Sequence, residues 1–212
     1  MSSGSDPAFI AFDGDRCLAS GDLRSVVRAA RQALDRHKEA SILIFDGETS
    51  APVEIDFRGS IADVLARLPE SSGAPMATED TAETPPRGPG RPKLGVVARE
   101  VTLLPRHWEW LAQQSGGASV ALRKLVDEAR RANKDKDRIR QAQEAAYRFI
   151  AAMAGNKPHV EEAARALFAG DTAQFEARTA SWPADVRDQA RRLAARAFER
   201  SSVGNDRAPA AR

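Results

Sequence analysis

FIAFDGD at residues 9–15 is nearly repeated by LIFDGE at residues 43–48, and each Asp-Gly pair follows a short apolar run. Asp-Gly after such a run is a strong hairpin signal, because glycine accepts the positive φ that tight hairpin turns require. The runs RCLA at 16–19 and PVEIDF at 52–57 would supply the returning strands. The repeat therefore predicts two hairpins and four strands.

A helix is expected after each hairpin. The first would be capped by Ser20 or Asp22 and the second by Ser60, since short polar side chains favour helix N-caps. Apolar residues then recur at helical spacing. We predict that residues 1–69 form an α/β module in the order ββα–ββα, with both helices on one face of the sheet.

The repeated carboxylates of this module, Asp13, Asp15, Asp46 and Glu48, could gather around a cation. Turn chemistry explains the Asp-Gly pairs more simply, because Asp side chains commonly bond to backbone groups within turns. No metal ion, cofactor or catalytic residue is therefore predicted.

Charge is distributed unevenly along the chain. Residues 1–86 carry 8 Lys/Arg against 15 Asp/Glu, residues 87–140 carry 13 against 6, and residues 141–212 carry 11 against 9. The net charge of +2 therefore conceals an acidic first part and a basic middle. The basic middle is the part that would attract a polyanion.

The composition and periodicity predict an α+β protein in five segments. After the α/β module, residues 70–96 would be a flexible linker that ends in a basic arm. Residues 97–133 would form a strand and two helices, and residues 134–200 a helical bundle whose core includes Phe168, Phe175 and Trp182. A disordered tail, 201–212, would follow.

The middle segment alternates like a strand over residues 97–104, and Pro105 then suits the first turn of a helix. Ser115-Gly116-Gly117 would end that helix, and Ser119 would cap a second one. About 35 residues are too few to bury a core alone, so two copies are expected to combine as a homodimer.

This layout resembles the ribbon-helix-helix family of DNA-binding proteins over residues 97–131. The resemblance implies that the strands of two subunits pair and enter the major groove, with Ala98, Glu100 and Thr102 facing the bases. It also implies that Ser119 and Val120, at the start of the second helix, approach phosphate. Alternatively, the ribbon serves only to dimerise, because a carboxylate such as Glu100 weakens binding near phosphates.

The arm before this segment, RGPGRPK at residues 87–93, resembles the AT-hook, whose Gly-Arg-Pro core lies in the minor groove of A·T-rich DNA. The resemblance implies that Arg91 enters the groove while Arg87 and Lys93 meet phosphates. An ordinary solvated basic linker is the alternative for such a short motif. The DNA-binding residues predicted from both parts are Arg87, Arg91, Lys93, Arg99, Thr102, Ser119, Arg123 and Lys124.

Over most of its length the chain is similar to the bacterial family called domain of unknown function 2239, through IFDGETSAPVEIDFRGS, REVTLLPRHWEWL and ALFAGD. That family implies a shared architecture and no mechanism. Our leading hypothesis is a dimeric, DNA-binding, transcription-regulator-like protein. The alternative is a non-enzymatic scaffold that holds a protein partner through its C-terminal helices, with Trp108, Trp110 and Trp182 as contact residues.

The remaining observations argue against other classes of protein. The lone Cys17 cannot form an intrachain disulfide, and His37, His107 and His159 lie outside any nucleophile motif, so an enzyme is not expected. The N-terminus lacks the basic start and apolar run of a secretory signal. No apolar stretch is long enough to span a membrane. A cytoplasmic location is the resulting expectation.

Overall fold

The structure is a computed structural model that describes residues 7–69, 97 and 99–199. It has mixed α+β architecture, with a small antiparallel sheet near the N-terminus and a mostly helical remainder. Its elements are β1 (Phe9–Asp13), β2 (Arg16–Gly21), α1 (Leu23–Arg36), β3 (Ile42–Asp46), α2 (Ile61–Ala66), α3 (Pro105–Ala112), α4 (Gly117–Ala154), α5 (Val160–Ala169), α6 (Thr172–Thr179) and α7 (Ala184–Phe198).

The described residues fall into two compact units. The larger unit contains residues 7–69 and 133–199, and the smaller unit contains residue 97 and residues 99–132. The boundary between them lies within α4. The predicted linker 70–96 and the predicted tail 201–212 lie outside the described residues.

The first hairpin forms as the Asp-Gly pair predicts. β1 and β2 pair antiparallel around Gly14, which has a φ of +53°, with a bulge between Ala11 and Phe12. β3 pairs antiparallel with the other edge of β1, so the strand order is β2-β1-β3. β1 is therefore the central strand.

The predicted fourth strand, residues 52–57, is wrong as a strand. Pro52 makes a single bridge to Phe45, and the amide of Val53 donates to the carbonyl of Ile44 at 2.8 Å, after which the ladder stops. Proline has no N–H to donate, which weakens pairing at the start of the segment. The alternation was nevertheless meaningful, because Val53, Ile55 and Phe57 are partly buried while Glu54 and Asp56 are exposed.

The sheet is buried on both faces. Ala11 and Ile44 lie on the face that packs against α1 and belong to one core cluster with Val64 of α2. Phe12 and Phe45 lie on the other face, where their rings pack against Phe149 of α4 with centroid separations of 5.4 and 5.5 Å. The N-terminal sheet and the C-terminal helices thus share one core.

Two further contacts tie these parts of the larger unit together. The backbone N–H of Cys17 in β2 donates to a carboxylate oxygen of Asp185 in α7 at 2.8 Å. The ammonium of Lys157 lies 2.6 Å from the carboxylate of Asp15, in the first hairpin turn. The first hairpin is therefore joined to α7 and to the loop between α4 and α5.

No helix ends at residue 133, near the predicted boundary between the middle segment and the helical bundle, although the two compact units divide there. α4 is one helix of 38 residues, from Gly117 to Ala154. Residues 127–138 contain neither glycine nor proline and are rich in Arg, Lys and Ala, which favour helix. The helix therefore continues through a stretch that has no stop signal.

Local sequence signals set the end of α5 and the start of α6. Gly170 closes α5 with a φ of +72°, and the side chain of Asp171 caps α6 by accepting from the amide of Gln174. Trp182 is buried, and its indole N–H donates to the carbonyl of Pro158 at 2.8 Å. Phe168 is 53% exposed, so its predicted place in the core is wrong.

Candidate nucleic-acid interface

In the smaller unit two helices, α3 and α4, follow the non-helical residues 99–104. Leu104 is the N-cap of α3 and Pro105 its first residue, where a missing N–H costs no hydrogen bond. Gly116 and Gly117 have φ values of +88° and +76°, a conformation that other residues rarely adopt, and they separate α3 from α4. The two glycines thus explain the turn between α3 and α4.

The predicted strand at 97–104 does not form. Residue 97 and residues 99–104 are without strand pairing, and Ala98 lies outside the described residues. A β-strand requires a partner that accepts and donates its backbone hydrogen bonds, and the described part of the single chain supplies none here. The strand prediction is therefore wrong for one isolated copy.

Large apolar side chains remain exposed throughout the smaller unit. Only Leu111 and Ala121 are buried among its described residues. Seven large apolar side chains are between 43% and 71% exposed. They are Val97, Val101, Leu104, Trp108, Trp110, Leu125 and Val126.

The predicted DNA-binding residues fall into two groups. Arg99, Thr102, Arg123 and Lys124 are exposed on the smaller unit. Ser119 is exposed too, but α4 begins at Gly117, so Ser119 lies in its first turn instead of at the N-cap. Its carbonyl accepts from the guanidinium of Arg123 at 3.1 Å.

The predicted arm residues Arg87, Arg91 and Lys93 lie outside the described residues. Their relation to Arg99 and Arg123 therefore remains a prediction from the sequence. Glu100, which the resemblance places toward the bases, is exposed. A carboxylate at that position repels a phosphate backbone. The electrostatic argument for DNA therefore depends on the basic side chains of the arm and of the helices.

A second group of cationic side chains was not predicted. Arg138 and Arg148 of α4 and Arg196 of α7 line a cavity of about 780 Å³ in the larger unit. Residues 138, 141 and 148 recur at helical spacing, which is the only sequence signal for this surface. Such polar stripes usually face solvent, so the spacing did not reveal a cavity.

The acidic turn residues are engaged by local hydrogen bonds. One carboxylate oxygen of Asp46 accepts from the amides of Glu48 and Thr49 and from the Thr49 hydroxyl, at 2.7 to 3.1 Å. Asp13 accepts from the amide of Ser41 at 3.1 Å. Across residues 7–69, 97 and 99–199, no three His, Cys, Asp or Glu side chains are grouped as metal ligands.

Cys17 and the three histidines have different environments. Burial, followed by the nearby carboxylate of Asp185, raises the pKa of the Cys17 thiol, which disfavours the reactive thiolate. His37 lies at the end of α1, His107 is exposed on α3, and His159 precedes α5 with a φ of +61°. In the described part of the chain, no helix is both long and apolar enough to cross a membrane.

Comparison with known proteins identifies the family. Residues 8–194 match the family described as "Uncharacterized protein conserved in bacteria (DUF2239)", so the chain belongs to that family. Neither a curated protein nor a solved structure matches the chain.

Proposed function

We propose that this DUF2239 chain is a homodimeric, DNA-binding, transcription-regulator-like protein that uses residues 87–131. The observation that carries the proposal is the exposed apolar surface of the smaller unit, which stands among basic side chains. A soluble monomer rarely exposes so many neighbouring large apolar residues, and such surfaces commonly mark interfaces. A second copy is the partner that fits best, because a ribbon requires two equivalent strands.

Pairing of two copies would give the smaller unit partners for its backbone hydrogen bonds and a cover for its apolar side chains. The extended residues 99–104 would gain backbone hydrogen bonds from the same segment of the other copy, in a two-stranded ribbon. The same association would cover apolar side chains such as Val101 and Val126, which are 57% and 55% exposed. Each gain favours association, since burial of apolar surface contributes roughly 25 cal/mol per Å².

DNA is the proposed ligand because the exposed charges suit a phosphate backbone. Arg99, Arg123 and Lys124 are exposed on the described part of the smaller unit, and the amides of the first turn of α4 have no partners within that helix. Backbone amides at a helix start are well suited to phosphate. The arm at 87–93 adds three cationic side chains directly before this unit.

The test is fluorescence anisotropy of a labelled A·T-rich duplex titrated with the full chain over a salt series. Each phosphate neutralised contributes a slope of about −0.9 to log K against log salt. Arg91→Ala with Lys93→Ala should therefore flatten the slope by about 2. The matched control, Arg28→Ala with Lys38→Ala on the larger unit, should leave the slope unchanged.

Two results would refute DNA binding by this segment. One is the lack of any binding by the full chain at low salt. The other is an equal loss of slope in the two double variants, which would assign binding to general charge and not to the arm.

A protein scaffold remains a second candidate because of one aromatic pair. Tyr147 and Phe168 are 47% and 53% exposed, and their ring centroids lie 5.6 Å apart. Exposed aromatic side chains often anchor protein interfaces. Trp182, which this alternative placed in the contact, is buried and so does not support it.

The scaffold alternative has its own test. The full chain and its Phe168→Ser variant should be compared for co-purifying proteins from the native host. Equal recovery of partners by both proteins would exclude the aromatic pair as the contact.

A further inference from the structure

The cavity in the larger unit is lined by cationic and polar side chains from three parts of the chain. We define it as the arginine cleft. It is lined by Arg138, Gln141, Ala142, Glu144 and Arg148 from α4, Arg196 and Glu199 from α7 and its C-cap, and Glu48 and Thr49 from the loop after β3. Its volume of about 780 Å³ is within the usual range for small-molecule sites, roughly 300–1,000 Å³.

Backbone carbonyls hold the arginines of the cleft in place. Arg138 donates to the carbonyl of Arg196 at 2.9 Å and also to that of Glu199, at the end of α7. Arg148 donates to the carbonyl of Thr49, and Arg196 donates to that of Glu48 at 3.1 Å. The guanidinium groups are thus oriented before any ligand arrives, which lowers the entropic cost of binding.

The carbonyl partners of Arg138 and Arg148 leave the positive charge of these two side chains in a lining that also contains Glu48, Glu144 and Glu199. A carbonyl is neutral, so it orients a guanidinium without cancelling its charge. The nearest carboxylate oxygens of Glu199 to Arg138 and of Glu48 to Arg196 are each 4.0 Å away, at the limit of an ion pair. Within residues 7–69, 97 and 99–199, Arg148 has no carboxylate at salt-bridge distance.

Exposure separates the two signs of charge at Arg138 and Arg196, whereas Arg148 and Glu144 are both exposed. The side chains of Glu48 and Glu199 are 82% and 74% exposed, whereas those of Arg196 and Arg138 are 29% and 36% exposed. Water screens the outer carboxylates strongly, and it screens the partly buried guanidiniums less. The cleft should therefore attract an anion even though its lining contains both signs.

The loop that forms one wall is held tightly. Asp46 bonds to the amides of Glu48 and Thr49, and Ser50, buried and with a φ of +54°, follows at the end of the turn. A non-glycine residue in this conformation costs about 1 kcal/mol or more, and such strain concentrates at functional sites. The wall is therefore both rigid and conformationally unusual.

We infer that the arginine cleft binds a small molecule through an oxyanion, either a phosphate or a carboxylate group. Guanidinium groups donate parallel hydrogen bonds to both kinds of group, which matches their planar geometry. Gln141 and Thr49 can bond to further polar atoms of the same ligand. The inference does not rest on DNA binding, because the cleft lies wholly in the larger unit.

The test is isothermal titration of the full chain with inorganic pyrophosphate and, separately, with citrate, at constant ionic strength and without DNA. Saturable binding of pyrophosphate alone identifies a phosphate ligand, and binding of citrate alone identifies a carboxylate ligand. Binding of both supports their shared oxyanion chemistry. Binding of neither overturns the inference.

Variants locate the binding. Arg148→Gln should abolish it, but this change also removes the bond to the Thr49 carbonyl and could impair folding. Gln141→Glu keeps every arginine and adds a carboxylate on an exposed position, so it should weaken binding at least about tenfold. The same change at an exposed position of α1, Gln32→Glu, should have no effect.

The variants also separate this inference from the proposed function. Gln141→Glu should leave the affinity of the full chain for duplex DNA unchanged. Equal weakening of pyrophosphate or citrate binding by Gln141→Glu and Gln32→Glu would overturn the assignment to the cleft, whatever the DNA result.

Discussion

The two units treat their apolar residues in opposite ways. In the larger unit the rings of Phe12, Phe45 and Phe149 are almost completely buried, and strands from the N-terminus meet helices from the C-terminus in one core. In the smaller unit most large apolar side chains are exposed. The larger unit encloses its core within one chain, whereas the smaller unit exposes an apolar surface of the kind that commonly marks interfaces.

The largest effect should come from the shared core of the larger unit. Phe149→Ala removes a ring that contacts Phe12 and Phe45, so it should lower the free energy of unfolding by about 3–5 kcal/mol. Urea unfolding followed by circular dichroism measures this loss. A loss below about 1 kcal/mol would show that sheet and helices do not depend on one core.

A smaller difference is expected between two tryptophans. Trp182→Phe leaves the carbonyl of Pro158 without its indole donor in a partly buried position, which should cost about 1–2 kcal/mol. Trp110→Phe, at a half-exposed position of the smaller unit, should cost less than about 0.5 kcal/mol. If urea unfolding gave equal losses of unfolding free energy for Trp182→Phe and Trp110→Phe, the two units would not differ in the stability that their tryptophans contribute.

Self-association should respond only to the smaller unit. Val126→Asp places a charge on its exposed apolar surface and should weaken dimerisation at least tenfold, or about 1.4 kcal/mol. Phe168→Asp makes the same change at an exposed site of the larger unit and should leave dimerisation intact. Sedimentation velocity compares the two, and a stronger effect of Phe168→Asp would reverse the assignment of the interface.

The smallest effect concerns pH and the segment after β3. The hydrogen bond from the Arg58 side chain lowers the pKa of Asp56 from 3.8 to about 2. A lowered folded-state pKa stabilises the protein above the unfolded-state pKa, and this contribution disappears as the pH falls from about 3.8 to about 2. Asp56 is exposed, so the contribution is small.

The variant Asp56→Asn tests this pH dependence. Wild type should be the more stable protein near neutral pH, and the difference in unfolding free energy should shrink as the pH falls through that window. A constant difference across the range would show that the Asp56 carboxylate contributes nothing through its charge.

The sequence predicted those features that neighbouring residues determine. Asp-Gly at 13–14 gave the first hairpin, Asp22 and Ser60 capped α1 and α2, and Gly170 ended α5. Ser60 and Asp63 even form a reciprocal capping box. Each of these depends on backbone chemistry within a few residues, which a single sequence displays directly.

Features that depend on distant or absent partners were missed. The second face of the sheet was overlooked, although the continuous apolar run FIAF at 9–12 is typical of a strand buried on both faces. The strand at 97–104 has no partner in the described part of one chain, and the arginine cleft joins side chains more than 90 positions apart. The local pattern at 97–104 does not identify a pairing partner, and the spacing of the cleft residues does not show that they meet. The run FIAF, by contrast, did indicate burial on both faces.

The central claim is that a second copy completes the smaller unit, and the mass of the full chain in solution tests it most directly. Sedimentation equilibrium at micromolar concentration should give twice the chain mass of 22.9 kDa. A mass of 22.9 kDa that persists as the concentration is raised would contradict the account.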